Sequence, residues 1–368
     1  MSDRSRIAYV DGPRLRRALL AACRRGRQAR SELNRINVFP VADGDTGTNL
    51  SLTLEAVADG LAGYRERRVD RVAASAARSA LLGARGNCGM MLSQFLLGLS
   101  GGLEGRSRVS LGQFASALTA AARSLDAAVQ NPVEGTILTV VRESALRAVD
   151  ESAGEGCGDF ADAMARMLET ARESLARTPE LLPVLAEAGV VDAGAQGFVE
   201  MVEGVVGLIR EGDDGEKMAG ADGALVVGGD THPEWSPIGQ AEHPFTHGTK
   251  RYCTEILVEG PELPGEQVVR EALSEGSEEL LVIRSEDILK VHLHTDHPRG
   301  AIDYCATLGT VVAHKAEDMP GPVRGGPRRA REGGAAARGH HGGFGVRSSR
   351  DGDARARDPH DPAPAHRG

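Results

Sequence analysis

The sequence predicts an all-α helical barrel, then a small α/β domain, then a disordered tail. Apolar residues recur at helical spacing through residues 10–210, whereas strand and helix patterns alternate through residues 250–318. Over residues 319–368 aliphatic side chains nearly disappear, so burial cannot offset the entropy of ordering that segment. Residues 211–249 are rich in Gly, Asp, Pro and His, and we interpret them as a linker that contains one short strand at 224–227.

Several amphipathic stripes define helices in the first region. Their apolar faces are formed by Leu15, Ala18, Leu19, Ala22 and Cys23; by Ala73, Ala74, Ala77, Ala80 and Leu81; by Phe114, Leu118, Ala121 and Leu125; and by Ala163, Met167 and Ala171. Gly-rich breaks fall at 43–47, 83–89, 131–135 and 192–197. The abundance of alanine indicates closely packed helices.

In the second region strand patterns alternate with helical ones. The predicted order is a strand at 252–259, a helix at 265–273, strands at 280–285 and 287–294, a helix at 299–308 and a strand at 309–312. Of two interpretations of the tail we favour the second. It is either a disordered basic segment with weak affinity for nucleic acid or the product of translation out of frame in a GC-rich gene.

Composition excludes several classes of function. The 368 residues carry 43 Lys and Arg against 52 Asp and Glu, so the chain lacks the basic surface of a nucleic-acid-binding protein. Aromatic residues make up 3%, too few for base-stacking platforms. No apolar run approaches the ~20 residues of a membrane span. Five scattered cysteines do not form a disulfide framework, and we expect a soluble cytoplasmic protein.

Asp43 and Asp45 flank a single glycine just before a helical pattern that begins at Leu50. Carboxylates this close repel each other, and a cation between them relieves the repulsion. Backbone N–H groups at the start of the next helix favour anions, so the segment predicts a Mg-ATP site. The competing interpretation is an Asx turn that caps the helix, although such a turn needs one acid rather than two. An EF-hand is excluded because its downstream glutamate is missing.

Gly83, Gly86 and Gly89 surround Arg85 between two predicted helices, the second at 90–99. Three glycines let the backbone approach an oxyanion closely, and arginine adds positive charge. The segment is not a Walker loop, since no Gly-Lys-Ser/Thr follows. The alternative is an ordinary helix–helix turn, which seldom needs three glycines.

Two further polar residues precede predicted helices. Thr136 follows Pro132 and Gly135, and it either caps the next helix or donates to a phosphate; taken alone, capping is the stronger interpretation. Asp192, beside Gly194, either lies near the ligand or forms a tight turn before a packed helix.

Cys253, His292 and His294 form a second candidate constellation. His292 and His294 are two residues apart on a predicted strand, so both side chains point to the same face, and Cys253 lies on a predicted neighbouring strand. Together they make three zinc ligands, with Asp296 or His297 to complete the set. The alternatives are histidines at an exposed strand end and a nucleophilic Cys253, for which no base is evident.

In this order, residues 37–49, 83–89, 131–140 and 192–197 closely resemble the kinase subunit of bacterial fatty acid kinase, which is built on the ATP-binding L-subunit domain of dihydroxyacetone kinases. Residues 252–255 and 290–295 look like the middle domain of that family. The resemblance implies an all-helical barrel that holds ATP or ADP with magnesium. In it Asp43 and Asp45 would bind magnesium and act in catalysis with Arg85. Asn37 is the nearest candidate for a third metal-binding acid of the dihydroxyacetone kinases.

The same resemblance implies nucleotide contacts from the Gly-rich segments. The candidates are Thr46, Gly47, Thr48, Asn49, Gly83, Ala84, Gly86, Asn87, Cys88, Gly89, Thr136, Asp192 and Gly194. It also implies zinc at Cys253, His292 and His294. Three departures from the family are visible, because Ala42 replaces a usual proline, Cys88 a usual serine and Ala195 a usual glycine.

The implied activity is transfer of phosphate from ATP to the carboxylate of a fatty acid presented by a fatty-acid-binding partner protein. The resemblance also implies that the kinase is a homodimer. One alternative is a dihydroxyacetone-type kinase, which would need a covalent histidine site in a substrate domain that nothing here resembles. Another is a non-catalytic nucleotide-binding protein. The family's third domain, thought to engage the partner, has no counterpart from Pro320 onwards.

Overall fold

The computed structural model describes residues 6–153, 159–211 and 250–319. The strand predicted at 224–227 and the tail predicted to be disordered lie outside these residues. Within them a helical region is followed by a small region of strands and helices, as the sequence predicts. None of the helices in the described ranges is both long and apolar enough to span a membrane.

The helical region contains eleven described helices and one short strand pair. The helices are α1 (Gly12–Gln28), α2 (Arg30–Arg35), α3 (Thr46–Leu61), α4 (Val69–Gly83), α5 (Gly86–Leu103), α6 (Leu111–Ala128), α7 (Ile137–Ala153), α8 (Phe160–Ala176), α9 (Thr178–Leu181), α10 (Pro183–Ala188) and α11 (Ala193–Glu211). Strands β1 (Val10–Asp11) and β2 (Arg108–Val109) pair antiparallel.

Small residues bring neighbouring helices into close contact, as the alanine content predicts. A Cβ atom added at Gly98 of α5 would lie 2.7 Å from the Cβ of Ser124 of α6. One added at Gly102 would lie 2.7 Å from the Cα of Ala117. Real Cβ atoms do not approach so closely, so α5 and α6 can pack at this distance only with glycine at both positions.

The second region is a four-stranded antiparallel sheet with two helices. Its elements are β3 (Tyr252–Glu259), α12 (Glu266–Ser274), β4 (Ser277–Ser285), β5 (Ile288–Thr295), α13 (Pro298–Leu308) and β6 (Thr310–Asp318), and the strand order is β4-β5-β3-β6. Strand β6 extends well beyond the predicted 309–312. It is an edge strand with exposed residues such as Lys315 and Glu317, so it lacks the apolar alternation from which its length could be predicted.

The two faces of this sheet have different partners. Val282 and Val291 belong to the face that packs against α12 and α13. Ile283 and Ile288 belong to the opposite face and form an apolar cluster with Leu81 and Met90 of the helical region. Strand alternation therefore directs every second residue of β3, β4 and β5 towards the turn between α4 and α5.

Candidate functional site

The loop between α2 and α3 is organised by the buried side chain of Asn37. Its Oδ1 atom accepts hydrogen bonds from the Asp45 N–H at 3.2 Å, from the Thr46 N–H at 3.0 Å and from the Thr46 hydroxyl at 2.7 Å. Its amide nitrogen donates to the Val41 carbonyl at 2.8 Å. Asn37 thus caps the start of α3, and its oxygen would have to exchange these donors before it could bind a metal. Its predicted role as a ligand stays a prediction.

Asp43 and Asp45 lie together at the start of α3. The Asp45 N–H approaches the Asp43 carboxylate at 3.4 Å, and Gly44 between them has a φ of +68°, which favours glycine. Asp43 is exposed, yet surrounding protein atoms remove part of its hydration. This desolvation, followed by the charge and hydrogen bond of Asp45, raises the pKa of Asp43 to about 7. A bound cation would relieve the repulsion between the two carboxylates.

Residues 47 and 48 fix the start of α3 against α2. A Cβ atom at Gly47 would lie 2.1 Å from the Arg30 carbonyl oxygen, so the two helices could not meet with a larger residue there. Thr48 donates its N–H to Asn34 at 3.0 Å, and its hydroxyl accepts from Asn34 at 3.0 Å and from Arg30 at 3.3 Å. These contacts give Gly47 and Thr48 a defined structural role beside their predicted role in nucleotide binding.

The Gly-rich segment after α4 forms the first turn of α5, which begins at Gly86 and not at residue 90 as predicted. Glycine is a poor helix former, so the sequence pattern placed the helix start too late. Gly86 has a φ of +57°, and a Cβ there would lie 2.4 Å from the Asn49 amide nitrogen. A Cβ at Gly89 would lie 2.4 Å from the Thr53 hydroxyl. The glycines therefore allow the α5 start to pack directly on α3.

The N–H groups of this turn have different partners. The first intrahelical bond of α5 runs from the Gly89 N–H to the Arg85 carbonyl at 3.0 Å. The Gly86 N–H donates to the Glu255 carboxylate of β3 at 2.6 Å. The N–H groups of Asn87 and Cys88 lie between these two, in the part of a helix start that can receive an anion.

Asp192 lies at the start of α11 and joins it to α7. Its carboxylate accepts from the Ala195 N–H at 2.7 Å, and its own N–H donates to the Thr178 hydroxyl at 3.1 Å. Burial raises the pKa of Asp192 to about 6, although the backbone N–H groups of Ala195, Ile137 and Gly194 lower it. A Cβ at Gly194 would lie 3.3 Å from this carboxylate, so glycine leaves room for it.

Thr136 lies just before α7 and is buried. Its hydroxyl donates to the Val133 carbonyl at 2.7 Å and accepts from the Leu138 N–H at 3.4 Å. These bonds correspond to the capping interpretation and use the hydroxyl that would otherwise reach a phosphate.

The thiol of Cys88, at the start of α5, is affected by charges of the Asp43–Asp45 loop and of the α11 start. Burial raises the pKa of this thiol to about 12, and the charges of Asp192 and Asp45 contribute to the same rise. Leu50 of α3, Cys88 of α5 and Gly194 of α11 line one small cavity, so the starts of these three helices lie in one region of the helical domain.

Cys253, His292 and His294 converge on the sheet face that is directed towards this region. One potential ligand atom from each residue lies within 4.8 Å of the others. Cys253 is directly opposite His294 in the β3–β5 register, and Glu255 is opposite His292. Both ring nitrogens of His292 and Nδ1 of His294 are buried without a hydrogen-bond partner among the described residues. A metal ion would satisfy such nitrogens, so the donor set fits zinc.

This Cys/His group lies within reach of charges from both regions of the chain. Burial raises the pKa of the Cys253 thiol to about 12, and the charges of Glu255, Glu317 and Asp45 contribute to the same rise. The Gly86 N–H donates to Glu255 on this face, and a Cβ at Gly86 would meet Asn49, whose N–H donates to the Asp45 carbonyl, so both candidate metal sites adjoin the start of α5. Burial, followed by the charge of His292, lowers the pKa of His294 to about 4, and this side chain is neutral and able to bind metal at pH 7.

Two residues of the candidate site, Glu255 and Lys290, were not predicted from the sequence. Glu255 accepts from Gly86 and, at 3.3 Å, from Arg85. Burial alone would raise the pKa of Glu255, but His292, the Gly86 N–H and Lys290 hold it at about 2. Lys290 donates to the Ala84 carbonyl at 2.6 Å. The sequence feature that could have identified them is their spacing, because each is two residues from a member of the Cys/His group and so lies on the same strand face.

Comparison with known families identifies both regions. Residues 40–207 match the family model of the DAK2 domain, and residues 249–324 match the FakA-like middle domain, which is described for fatty acid kinases. The chain therefore contains a region similar to a DAK2 domain, followed by a region similar to a FakA-like middle domain. The resemblance found in the sequence motifs is confirmed.

Several known proteins are similar to this chain. The protein YloV of Bacillus subtilis is 34% identical over 316 residues, which are 85% of this chain and 56% of that protein. An uncharacterized protein of Staphylococcus epidermidis is 36% identical over 290 residues, 77% of this chain and 50% of that protein. The chain thus spans about half the length of the curated relatives it matches. Among solved structures, the dihydroxyacetone kinase from C. freundii in complex with AMP-PNP and Mg²⁺ aligns with a TM-score of 0.42 at 14% identity, over 56% of this chain and 36% of that one.

Proposed function

We propose that this protein is a magnesium-dependent kinase that transfers the γ-phosphate of ATP to the carboxylate of a fatty acid and so forms an acyl phosphate. The fatty acid would be presented by a fatty-acid-binding partner protein. The observation that carries the proposal is the meeting of the Asp43–Asp45 loop, the Gly-rich start of α5 and the Cys253–His292–His294 group in one region. The matches to kinase-associated domains support it.

The donor atoms suit the proposed cofactors. Asp43 and Asp45 offer the carboxylate oxygens that Mg²⁺ prefers, and desolvation together with the charge of Asp45 raises the pKa of Asp43, so a cation between the two acids would stabilise their ionised forms. When bound, the metal would neutralise phosphate charge. The Asn87 and Cys88 N–H groups would receive phosphate oxygens. Arg85, whose side chain is 45% exposed, can turn from Glu255 towards the transferred group.

The proposed acceptor requires no general base. A carboxylate is already ionised at pH 7, so an oxygen of the fatty acid attacks the γ-phosphorus directly. As this bond forms, the bond from phosphorus to the bridging oxygen breaks, and ADP leaves with the electron pair. The proposed catalysis therefore consists of positioning by the chain's own residues and of charge neutralisation, part of which magnesium held by Asp43 and Asp45 would supply.

The proposal is tested with the full chain, ATP, magnesium and a fatty-acid-binding protein loaded with a fatty acid. Acyl phosphate is trapped with hydroxylamine and quantified as hydroxamate. Asp45→Asn is expected to lower the rate at least about 100-fold, because metal neutralisation of the phosphates is worth several kcal/mol. Asp59→Asn, an exposed acid on the same helix, is the matched control and should retain the wild-type rate. Full activity of Asp45→Asn at saturating magnesium would refute the metal assignment.

A further inference from the structure

The start of α5 is capped by a residue from the other domain. The preceding residue, Arg85, makes no side-chain cap for its own helix. Instead the Glu255 carboxylate of β3 accepts from the Gly86 N–H at 2.6 Å and from the Arg85 guanidinium at 3.3 Å. A negative charge at a helix N-terminus is favourable because it meets unpaired N–H groups and the positive end of the helix dipole.

The end of α4 is capped from the same sheet. Lys290 of β5 donates from Nζ to the Ala84 carbonyl at 2.6 Å and approaches the Leu82 carbonyl at 3.5 Å. A cation at a helix C-terminus satisfies the last carbonyl groups and the negative end of the dipole. Lys290 and Glu255 are only 3% and 6% exposed, so each charge is desolvated and depends on these partners.

The two caps and the Cys/His group share one rigid support. Strand alternation directs Cys253 and Glu255 of β3 to the same face, and Lys290, His292 and His294 of β5 to that face as well. The His292 Nδ1 atom lies 3.8 Å from Glu255 Oε1. A carboxylate beside a histidine ligand is a recurrent means of orienting the ring towards a metal. Any change in the position of the sheet would therefore move the Cys/His group and the two capping side chains together.

We propose that Glu255 and Lys290, both from the middle domain, are positioning residues. They cap the two helix ends at the α4–α5 turn and thereby hold the Cys/His group beside that turn. The inference rests on the proposed function for its consequence, since that turn is the one assigned to the phosphates. The capping itself is a property of the nucleotide-free protein and can be measured without turnover.

The test compares Glu255→Ala and Lys290→Met with the wild-type chain by amide hydrogen exchange without nucleotide. Exchange of residues 83–90 is expected to rise roughly tenfold or more in both variants, because a hydrogen bond to a charged group is lost at each helix end. Asp287→Asn is the matched control, since its ion pair with Arg78 at 3.1 Å also joins the domains but does not touch the turn. It should leave exchange at 83–90 unchanged.

Exchange in α8 separates a local effect from unfolding, because this helix is remote from the turn and should not change. If α8 also exchanges faster in Glu255→Ala, Glu255→Gln replaces it, since a neutral amide oxygen still accepts from Gly86 and should give intermediate protection. Wild-type exchange at 83–90 in these variants would overturn the proposal, even if the protein proves to be an active kinase.

Steady-state kinetics of the two variants are the second test. Both variants are expected to lower kcat at least about tenfold with a smaller change in the KM for ATP. The reason is that the Cys/His group and the α4–α5 turn lose their alignment while most nucleotide contacts remain. If the wild-type chain forms no acyl phosphate but the exchange result holds, the positioning role stands and the proposed function fails. An unchanged kcat in both variants would remove the link to catalysis.

Discussion

Four buried polar side chains of this protein cap helix ends. Asn37 caps α3, Asp192 caps α11, and Glu255 and Lys290 cap α5 and α4. Each is nearly inaccessible to water, so its hydrogen bonds to backbone groups offset the cost of desolvation. At the residue scale the candidate site is thus a set of helix termini held in place by polar side chains.

Asp192 gives this arrangement a pH dependence. Its pKa of about 6 in the folded protein exceeds the value near 4 of an unfolded chain, so the folded state binds the proton more tightly. Its contribution to stability is therefore complete below about pH 4 and is lost as the pH rises towards about 6. Asp192→Asn should abolish this loss, so its stability relative to that of the wild type should rise by up to roughly 2–3 kcal/mol between about pH 4 and about pH 7.

Urea denaturation at several pH values between about 4 and 7.5 measures this effect. Asp59→Asn, an exposed substitution of the same type, should keep the wild-type slope. Parallel pH profiles for Asp192→Asn and wild type would show that Asp192 does not carry the dependence.

At the scale of elements, glycine decides how α5 meets its neighbours. The helix begins at a glycine with positive φ that packs on α3, and it continues with two glycines that pack on α6. A sequence pattern that counts apolar residues cannot detect such contacts, because the informative feature is the absence of a side chain. The packing of α5 on α3 and α6 could not be predicted from the sequence for this reason.

Gly86→Ala tests the role of this helix start. The new Cβ would face a positive φ and a contact of 2.4 Å with Asn49, so the free energy of unfolding should fall by about 1–3 kcal/mol. Gly101→Ala on the same helix is the matched control, because nothing lies within 4 Å of its added Cβ. That substitution should leave stability unchanged or raise it by up to about 1 kcal/mol. Equal stability of the two variants in urea would contradict the argument.

At the scale of the whole molecule, the site is assembled from two domains. The DAK2 domain supplies the Asp43–Asp45 loop and the α4–α5 turn, and the middle domain supplies the Cys/His group. An apolar cluster that includes Met90 and Ile288 joins them beside these polar contacts. Because the Cys/His group lies on the face buried by this contact, the candidate site contains residues of both domains.

Zinc binding is the prediction that belongs to this scale. Metal analysis of the full chain should find about one zinc ion per molecule, and Cys253→Ser or His294→Ala should lower zinc affinity at least about 100-fold. His314→Ala, an exposed histidine on the neighbouring strand β6, is the control and should retain the metal. Unchanged zinc content after loss of either ligand would exclude the site.

The sequence by itself determined the types and order of the elements and the identity of the chemical groups. Helical spacing, strand alternation and paired acids act between neighbours in the chain, so the helical region, the sheet and the Asp43–Asp45 pair were all predictable. The same locality explains how His292 and His294 were assigned to one strand face.

Only the tertiary structure decided what these groups meet. The hydrogen bond between Gly86 and Glu255 joins residues 169 apart, and that between Ala84 and Lys290 joins residues 206 apart. No local pattern specifies such pairs, because they depend on which sheet face packs against which helix ends. Burial of that face converts an ordinary glutamate and lysine into helix caps and brings the Cys/His group towards the Asp43–Asp45 loop.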